Sequence, residues 1–241
     1  ALEGGKGMTE YQMLESGLQL AAPGFPPQAV DNLMEFSAML LEKNKVMNLT
    51  AVTDPTEVVT RHFLDCAALA PLMPKGGRVV DVGTGAGFPG MPLAILCPQT
   101  EFILLDALRK RVDFLNDVID TLRLTNCTAI HARAEEYAAD YRECFDAVTS
   151  RAVADLRTLC ELALPMVKVG GMFFAMKAAD CGDEVAAAAN AFSVLGAAPP
   201  TVLHYIVPHD GVERVIVRLQ KTAVTPPQYP RRFKKIQSAP L

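Results

Sequence analysis

The chain has 241 residues, half of them hydrophobic and 21% charged, with no tryptophan, which is enough to bury one substantial core and to complete an enzyme domain. No apolar run reaches about 18 residues and no basic segment leads into a hydrophobic one at the N-terminus, so neither a membrane span nor a secretory signal is expected, and a cytoplasmic protein is. The net charge of −4 is unevenly spread: from Lys221 onward there are five basic residues and no acid, leaving the first 220 residues at −9.

Residues 1–7 are Gly-rich and are set outside the fold. Residues 28–45 place Val30, Leu33, Met34, Ser37 and Leu41 at helical spacings, and residues 56–72 do the same, with a polar and apolar connector over 44–53 between them. From residue 78 the pattern changes. Apolar runs at 78–82, 101–106, 127–131, 145–150 and 171–177 each lead toward a helical pattern, the signature of parallel βαβ units, with Pro165 and Gly170-Gly171 punctuating the entry to the fifth. An Ala-rich helix is expected over 183–195. The runs at 202–207 and 212–219, separated only by Pro208-His-Asp-Gly211, must then form an antiparallel hairpin.

The resulting expectation is an α/β, Rossmann-like fold of the class I methyltransferase type: a mostly parallel seven-stranded sheet, an antiparallel C-terminal hairpin and an N-terminal helical extension. The divisions fall at 8–72 for the extension, 73–221 for the S-adenosylmethionine-binding domain and 222–241 for a basic, Pro-rich tail. On charge alone the tail reads as a solvated, disordered terminus, although its four cations, with Lys221 just before them and no acid, can also grip a phosphate backbone. The six cysteines never form C-x-x-C and the four histidines do not cluster with them, so core thiols are expected and a metal site is not.

The chemistry concentrates in Asp81-Val-Gly-Thr-Gly-Ala-Gly-Phe-Pro-Gly90. Bare backbone between a strand and a helix lets a ligand approach closely. A dinucleotide fingerprint would put its third glycine at 88, where this chain has phenylalanine, and no Lys-Ser/Thr pair makes a P-loop; the spacing favours S-adenosylmethionine. Ligands of such sheets lie beyond the carboxyl ends of the strands, so each end supplies candidates. Asp81 is placed to hold the cofactor's amino group, Gly83, Gly85 and Gly87 let the backbone pass it, and Phe88 packs on its apolar side. Asp106 is placed for the ribose hydroxyls or as an N-cap of the next helix, Ala134 and Glu135 for the adenine edge, and Arg151 for a phosphate or the cofactor carboxylate. The chain lacks the Pro-Pro-aromatic motif of exocyclic-amine methylation and the Pro-Cys nucleophile of pyrimidine carbon methylation. A ring nitrogen with its own lone pair, such as guanine N7, requires neither, and no obligatory general base is expected.

With these residues stand Asn48-Leu-Thr50, Arg61-His-Phe-Leu-Asp65, Leu105-Asp-Ala-Leu-Arg-Lys-Arg111, Arg133-Ala-Glu135, Ser150-Arg-Ala152, Ala175-Met-Lys177 and Tyr229-Pro-Arg-Arg232. Together they make the chain, from residue 28 to the C-terminus, resemble the glucose-inhibited division protein B family, bacterial methyltransferases that modify a guanine of small-subunit ribosomal RNA at N7. Gly87-Phe-Pro-Gly90, Arg61-His62 and Ser150-Arg-Ala152 are its more specific carriers. The resemblance implies that Gly83, Phe88, Ala134, Glu135 and Arg151 line an S-adenosylmethionine site. Arg61, His62, Arg111, Lys177, Arg231 and Arg232 are the candidates for contact with ribosomal RNA or a ribosomal particle; Phe233-Lys-Lys235 departs from the family's usual Gly- and Pro-containing continuation. A non-catalytic RNA-binding assembly factor of the same fold, or a methyltransferase of a protein or small molecule, fits the same glycine loop. A monomer is the expectation.

Overall fold

The computed structural model describes residues 7–151 and 154–241; Ala152 of the Ser150-Arg-Ala152 motif and residues 1–6 lie outside them. Helices α1 (Glu10–Ala21) and α2 (Ala29–Met47) come first, then one-turn α3 (Pro55–Glu57), a π-helical turn (Val58–Leu64) and one-turn α4 (Asp65–Ala67). The sheet follows as β1 (Arg78–Val82), β2 (Glu101–Asp106), β3 (Cys127–His131), β4 (Phe145–Arg151) and β5 (Val167–Ala178), and closes with β6 (Thr201–Ile206) and β7 (Glu213–Gln220). Between strands lie α5 (Gly90–Leu96), α6 (Arg109–Leu122), α7 (Ala134–Asp140), α8 (Leu156–Ala163), α9 (Gly182–Ala187) and α10 (Ala189–Leu195), with α11 (Phe233–Ser238) last. The strand order is β3-β2-β1-β4-β5-β7-β6, parallel throughout β1 to β5 and antiparallel at the β5–β7 and β6–β7 pairings. The order reverses between β1 and β4, which opens a crevice at their carboxyl ends.

The core follows from the two-residue period of the strands. Val79, Phe102, Leu104, Ala147 and Phe174 project to one face, where α1, α2, α5 and α6 cover them. Val80, Ile103, Leu105, Val148 and Phe173 project to the other, against α8, α10 and α11. The N-terminal extension therefore shares a core with the sheet. Phe36 of α2 is fully buried, and its ring centroid lies 5.7 Å from Phe63, 5.6 Å from Phe88 and 6.4 Å from Phe114, joining extension, glycine loop and α6 in one aromatic cluster.

Four features depart from the sequence reading. Helix α1 falls outside the two helices expected, although Thr9 and Gln12 form a complete capping box at its start; exposed Tyr11 and Leu20 blur its apolar stripe. The expected helix over 56–72 is broken into the α3, π and α4 turns, and the one over 183–195 divides at Ala188. Strand β5 begins at Val167, running through Gly170-Gly171 rather than starting after them. The β4–β5 register shifts between Phe145 and Ala147, and a side chain at Gly171 would meet the Asp146 carbonyl at 2.7 Å. Finally, the tail is folded onto the domain: Ile236 is fully buried, and Arg142 donates to the carbonyls of Thr225 (2.8 Å) and Tyr229.

Candidate functional site

Two neighbouring cavities open at the carboxyl edge of the sheet. The first, about 440 Å³, is lined by Gly83, Gly85, Phe88, Asp106, Arg111 and the backbone near Thr50. The second, about 470 Å³, is lined by Arg61, Asp65, Lys177, Glu184, Tyr205 and Arg214. His62 and Arg151 line both, so the two cavities adjoin at these side chains, their shared wall.

The first cavity is built by the turn after β1. Gly83 and Gly85 adopt φ of +65° and +60°, the left-handed region that favours glycine, and a Cβ on Gly85 would meet only the Gly83 carbonyl, at 4.0 Å. The Gly85 amide donates to Asp106 Oδ2 (2.9 Å), and the Leu108 amide to Asp106 Oδ1 (2.9 Å), so the carboxylate ties the glycine loop to the start of α6. Asp106 lines the cavity but is not the N-cap expected of it: that position falls to Leu108, whose amide donates to Asp106 in the turn before the helix. Arg111 lies 3.6 Å from the same carboxylate. The Thr84 hydroxyl is buried in this floor beside Asp81, whose charged form it helps to hold. Open space above bare left-handed backbone and an adjacent carboxylate fit the nucleoside and amino-acid portions of S-adenosylmethionine.

Two expected contacts lie behind the loop instead. Asp81 is fully buried: its Oδ2 accepts from the Gly90 amide (2.9 Å) and its Oδ1 from the Thr149 hydroxyl (2.9 Å), which the β1–β4 register places opposite. Burial pushes its pKa up to about 6 against those hydrogen bonds. Asp81 organises the start of α5 from beneath the cavity. Gly87 is pressed into the core, where a Cβ would meet Leu115 at 2.9 Å and Met91 at 3.1 Å, so its lack of a side chain serves packing. Ala134 and Glu135 open α7 after the third strand and are not among the cavity-lining residues; Glu135 pairs with Arg133 at 2.7 Å.

The dividing wall is a connected polar network. The Arg151 guanidinium donates to Asp65 Oδ2 (3.1 Å), the Arg61 carbonyl (3.2 Å) and His62 Nδ1 (2.8 Å), and lies 4.9 Å from the centre of the Phe88 ring. A guanidinium has no acceptor, so Nδ1 of His62 accepts and its proton resides on Nε2, which donates to Thr50 Oγ1 at 2.9 Å. His62 also stacks on Phe88, with centroids 4.2 Å apart and planes 18° apart. Burial, reinforced by the Arg151 charge, depresses the His62 pKa to about 3, so the ring is neutral at physiological pH. Tyr205 completes the chain by donating to Asp65 Oδ1 at 2.7 Å, and burial holds its phenol protonated. The π-helical turn carries both Arg61 and His62, turning His62 into the wall while Arg61 remains exposed beside Glu57 (3.2 Å).

The other basic candidates separate clearly. Lys177 turns inward to the Ala154 carbonyl (2.9 Å) and Glu184 Oε1 (2.6 Å). Arg231 is held by the fully buried Glu161 through Nε (2.9 Å) and Nη2 (2.7 Å), so its charge fastens the tail instead of facing solvent. Arg232 is exposed. Asp65, Tyr205 and Glu184 were not among the sequence candidates. Asp65 closes the Arg61-His-Phe-Leu-Asp65 motif, but Tyr205 lies 140 residues from the carboxylate it binds, and no local pattern marks it or Glu184.

The family model for rRNA small subunit methyltransferase G (GidB) matches residues 29–210. The chain belongs to this family. Two proteins named ribosomal RNA small subunit methyltransferase G illustrate the likeness. That of Desulfitobacterium hafniense is 45% identical over 205 residues, covering 84% of this chain and 85% of its own; that of an Exiguobacterium species is 42% identical over 240, covering 97% and 100%. Among solved structures, an O-methyltransferase from Bacillus cereus in complex with SAH gives a TM-score of 0.54 at 18% identity, covering 78% of this chain and 91% of that one. A SAM-dependent O-methyltransferase from Thermotoga maritima gives 0.53 at 16%, covering 78% and 72%. At these identities the structural likeness speaks to the fold, which the rRNA small subunit methyltransferase G family member described here shares with them. None of its described helices is long and apolar enough to cross a membrane.

Proposed function

We propose that this protein methylates N7 of a guanine in small-subunit ribosomal RNA, with S-adenosylmethionine as methyl donor. The observation that carries the reading is the pair of cavities meeting at the His62–Arg151 wall, one floored by the glycine loop and the other open on the far side. When bound, S-adenosylmethionine supplies an electrophilic methyl group on a sulfonium. Gly83, Gly85 and Asp106 would hold it in the first cavity, and Phe88 would bound its apolar side.

The remaining work falls to alignment and electrostatics. Guanine N7 has its own lone pair and carries no proton, so no residue must act as base. The methylated base is cationic, and a wall with unbalanced positive charge would oppose it. Here the Asp65 carboxylate balances Arg151, and His62, with its pKa near 3, adds no charge. The stacked His62 and Phe88 rings fix the boundary at which the two cavities adjoin. RNA outside the cavities would be met by exposed Arg61 and Arg232, with half-buried Arg111 at the edge of the first.

The test is transfer of label from methyl-labelled S-adenosylmethionine to undermethylated small ribosomal subunits, followed by nucleoside analysis. Label recovered as 7-methylguanosine is expected. Absence of label in RNA overturns the reading, and label at another atom overturns the N7 assignment.

A further inference from the structure

We propose that the second cavity receives the acceptor guanine and that Glu184 reads its Watson–Crick edge, making Glu184 a specificity-determining residue. The proposal rests on the function above. With N7 directed at the first cavity across the His62–Arg151 boundary, the adjoining Watson–Crick edge, with N1–H and the 2-amino group, lies at about a right angle to that direction and would meet lining the two cavities do not share. That edge presents two adjacent donors and needs an acceptor-only partner, the property of a carboxylate. An adenine in the same pose presents an acceptor at N1 and is refused.

Two carboxylates line the cavity. Asp65 is engaged at both oxygens, Oδ1 accepting from Tyr205 and Oδ2 from Arg151, and only 5% of its side chain is exposed. Glu184 is engaged at one. Its Oε1 accepts from the Leu156 amide (2.7 Å) and Lys177 Nζ (2.6 Å), while its Oε2 accepts no hydrogen bond among the described residues. The side chain is 32% exposed and lines the cavity, anchored through one oxygen with the other left free of hydrogen bonds among the described residues. Lys177, itself only 11% exposed, thereby acquires a role other than gripping phosphate: it fixes the orientation of the reading carboxylate. Recognition of a base by hydrogen bonds to its Watson–Crick edge in an enclosed pocket is the physical requirement for chemistry on an extruded nucleotide.

The experiment compares wild type with Glu184→Ala and Glu184→Gln, using small subunits reconstituted with guanosine or with inosine, which lacks the 2-amino group, at the modified position. Wild type is expected to prefer guanosine by about 10- to 100-fold in kcat/KM, the effect of one charge-assisted hydrogen bond. Both variants are expected to lose a comparable factor on guanosine and most of the preference, with S-adenosylmethionine affinity unchanged by calorimetry. Gln keeps the Oε1 anchor and turns an amide donor toward the base, so it reports on the edge even where Ala disturbs the fold. Undiminished guanosine preference in the variants overturns the Glu184 assignment alone. Failure of wild type to form 7-methylguanosine overturns the functional reading beneath it.

Discussion

The wall between the cavities and the seam that fastens the C-terminal tail are made of the same materials, partly buried cations paired with carboxylates, yet they differ in closure. At the seam, Lys221 is fully buried among Glu143 and the carbonyls of Leu164 and Val167, and Arg231 spends its guanidinium on Glu161 and the Ala239 carbonyl. Lys221 is sealed by protein, and Arg231, though partly exposed, ends on Glu161 and the tail's own backbone. At the wall, Arg151 is equally well partnered, but its partners His62 and Asp65 sit on the surface of two cavities with bare backbone or a half-engaged carboxylate beyond. A buried cation does not by itself mark a site; what marks one is an ordered network that ends at open space.

The largest effect should come from breaking the seam. Arg231→Met leaves Glu161 charged and buried without its partner, which costs about 3–5 kcal/mol and lowers the melting temperature by roughly 10 °C, while calorimetry should find S-adenosylmethionine binding intact. Equal loss of cofactor affinity would erase the distinction between the two regions. Gly85→Asp acts in the opposite sense. A charged side chain at φ +60° enters the first cavity next to Asp106, and cofactor affinity should fall about 100-fold or more with a smaller change in melting temperature. Undiminished binding by this variant would remove the glycine loop from the cofactor site.

Arg151→Lys should lower kcat/KM for methyl transfer about tenfold, because a single ammonium cannot satisfy His62, Asp65 and the Arg61 carbonyl with the geometry of a planar fork. Steady-state kinetics on small subunits would show it, and full activity would reduce Arg151 to a filler of space.

In pH dependence, two buried titratable groups of this region, His62 and Asp81, oppose each other. His62 has its pKa depressed from 6.5 to about 3, so the stability it contributes is complete above 6.5 and is lost as pH falls toward 3. Asp81 has its pKa raised from 3.8 to about 6, so its contribution is complete below 3.8 and is lost as pH rises through 6. Asp81→Asn should therefore raise stability at pH 7.5 by on the order of 2 kcal/mol in denaturant titrations. A gain confined to acid pH would contradict the sign of the Asp81 shift.

Much of the sheet is legible in the sequence because its strands are uninterrupted apolar runs of the right length, and the carboxyl-end rule then brings Gly83, Gly85, Phe88, Asp106 and Arg151 to one crevice. The same rule mislays Asp81 and Gly87: it identifies the strand end without saying which residues face the ligand and which face the core. Loop direction decides that, and it depends on Leu104, Leu115 and Met91 packing from elsewhere in the chain. Charge was the weaker guide. Five cations from Lys221 onward suggest phosphate, but two of them, Lys221 and Arg231, answer acids at 143 and 161 that no local window connects to them. Tyr205 and Glu184 become visible only when β6 and α9 are brought beside the π-helical turn and the end of β5.

Phe88 belongs to the glycine loop, yet its ring lies among Phe36, Phe63 and His62, drawn from the first third of the chain. A ligand that immobilises the loop must therefore immobilise those elements too, and part of its binding free energy reappears as resistance to local opening far from the ligand. Backbone amides along α2, none of which touches the first cavity, should exchange with deuterium more slowly once S-adenosylmethionine is added. The extension would then act as a thermodynamic reporter of cofactor occupancy, coupled to the loop through the Phe88 ring and the packing of Phe36 beneath it.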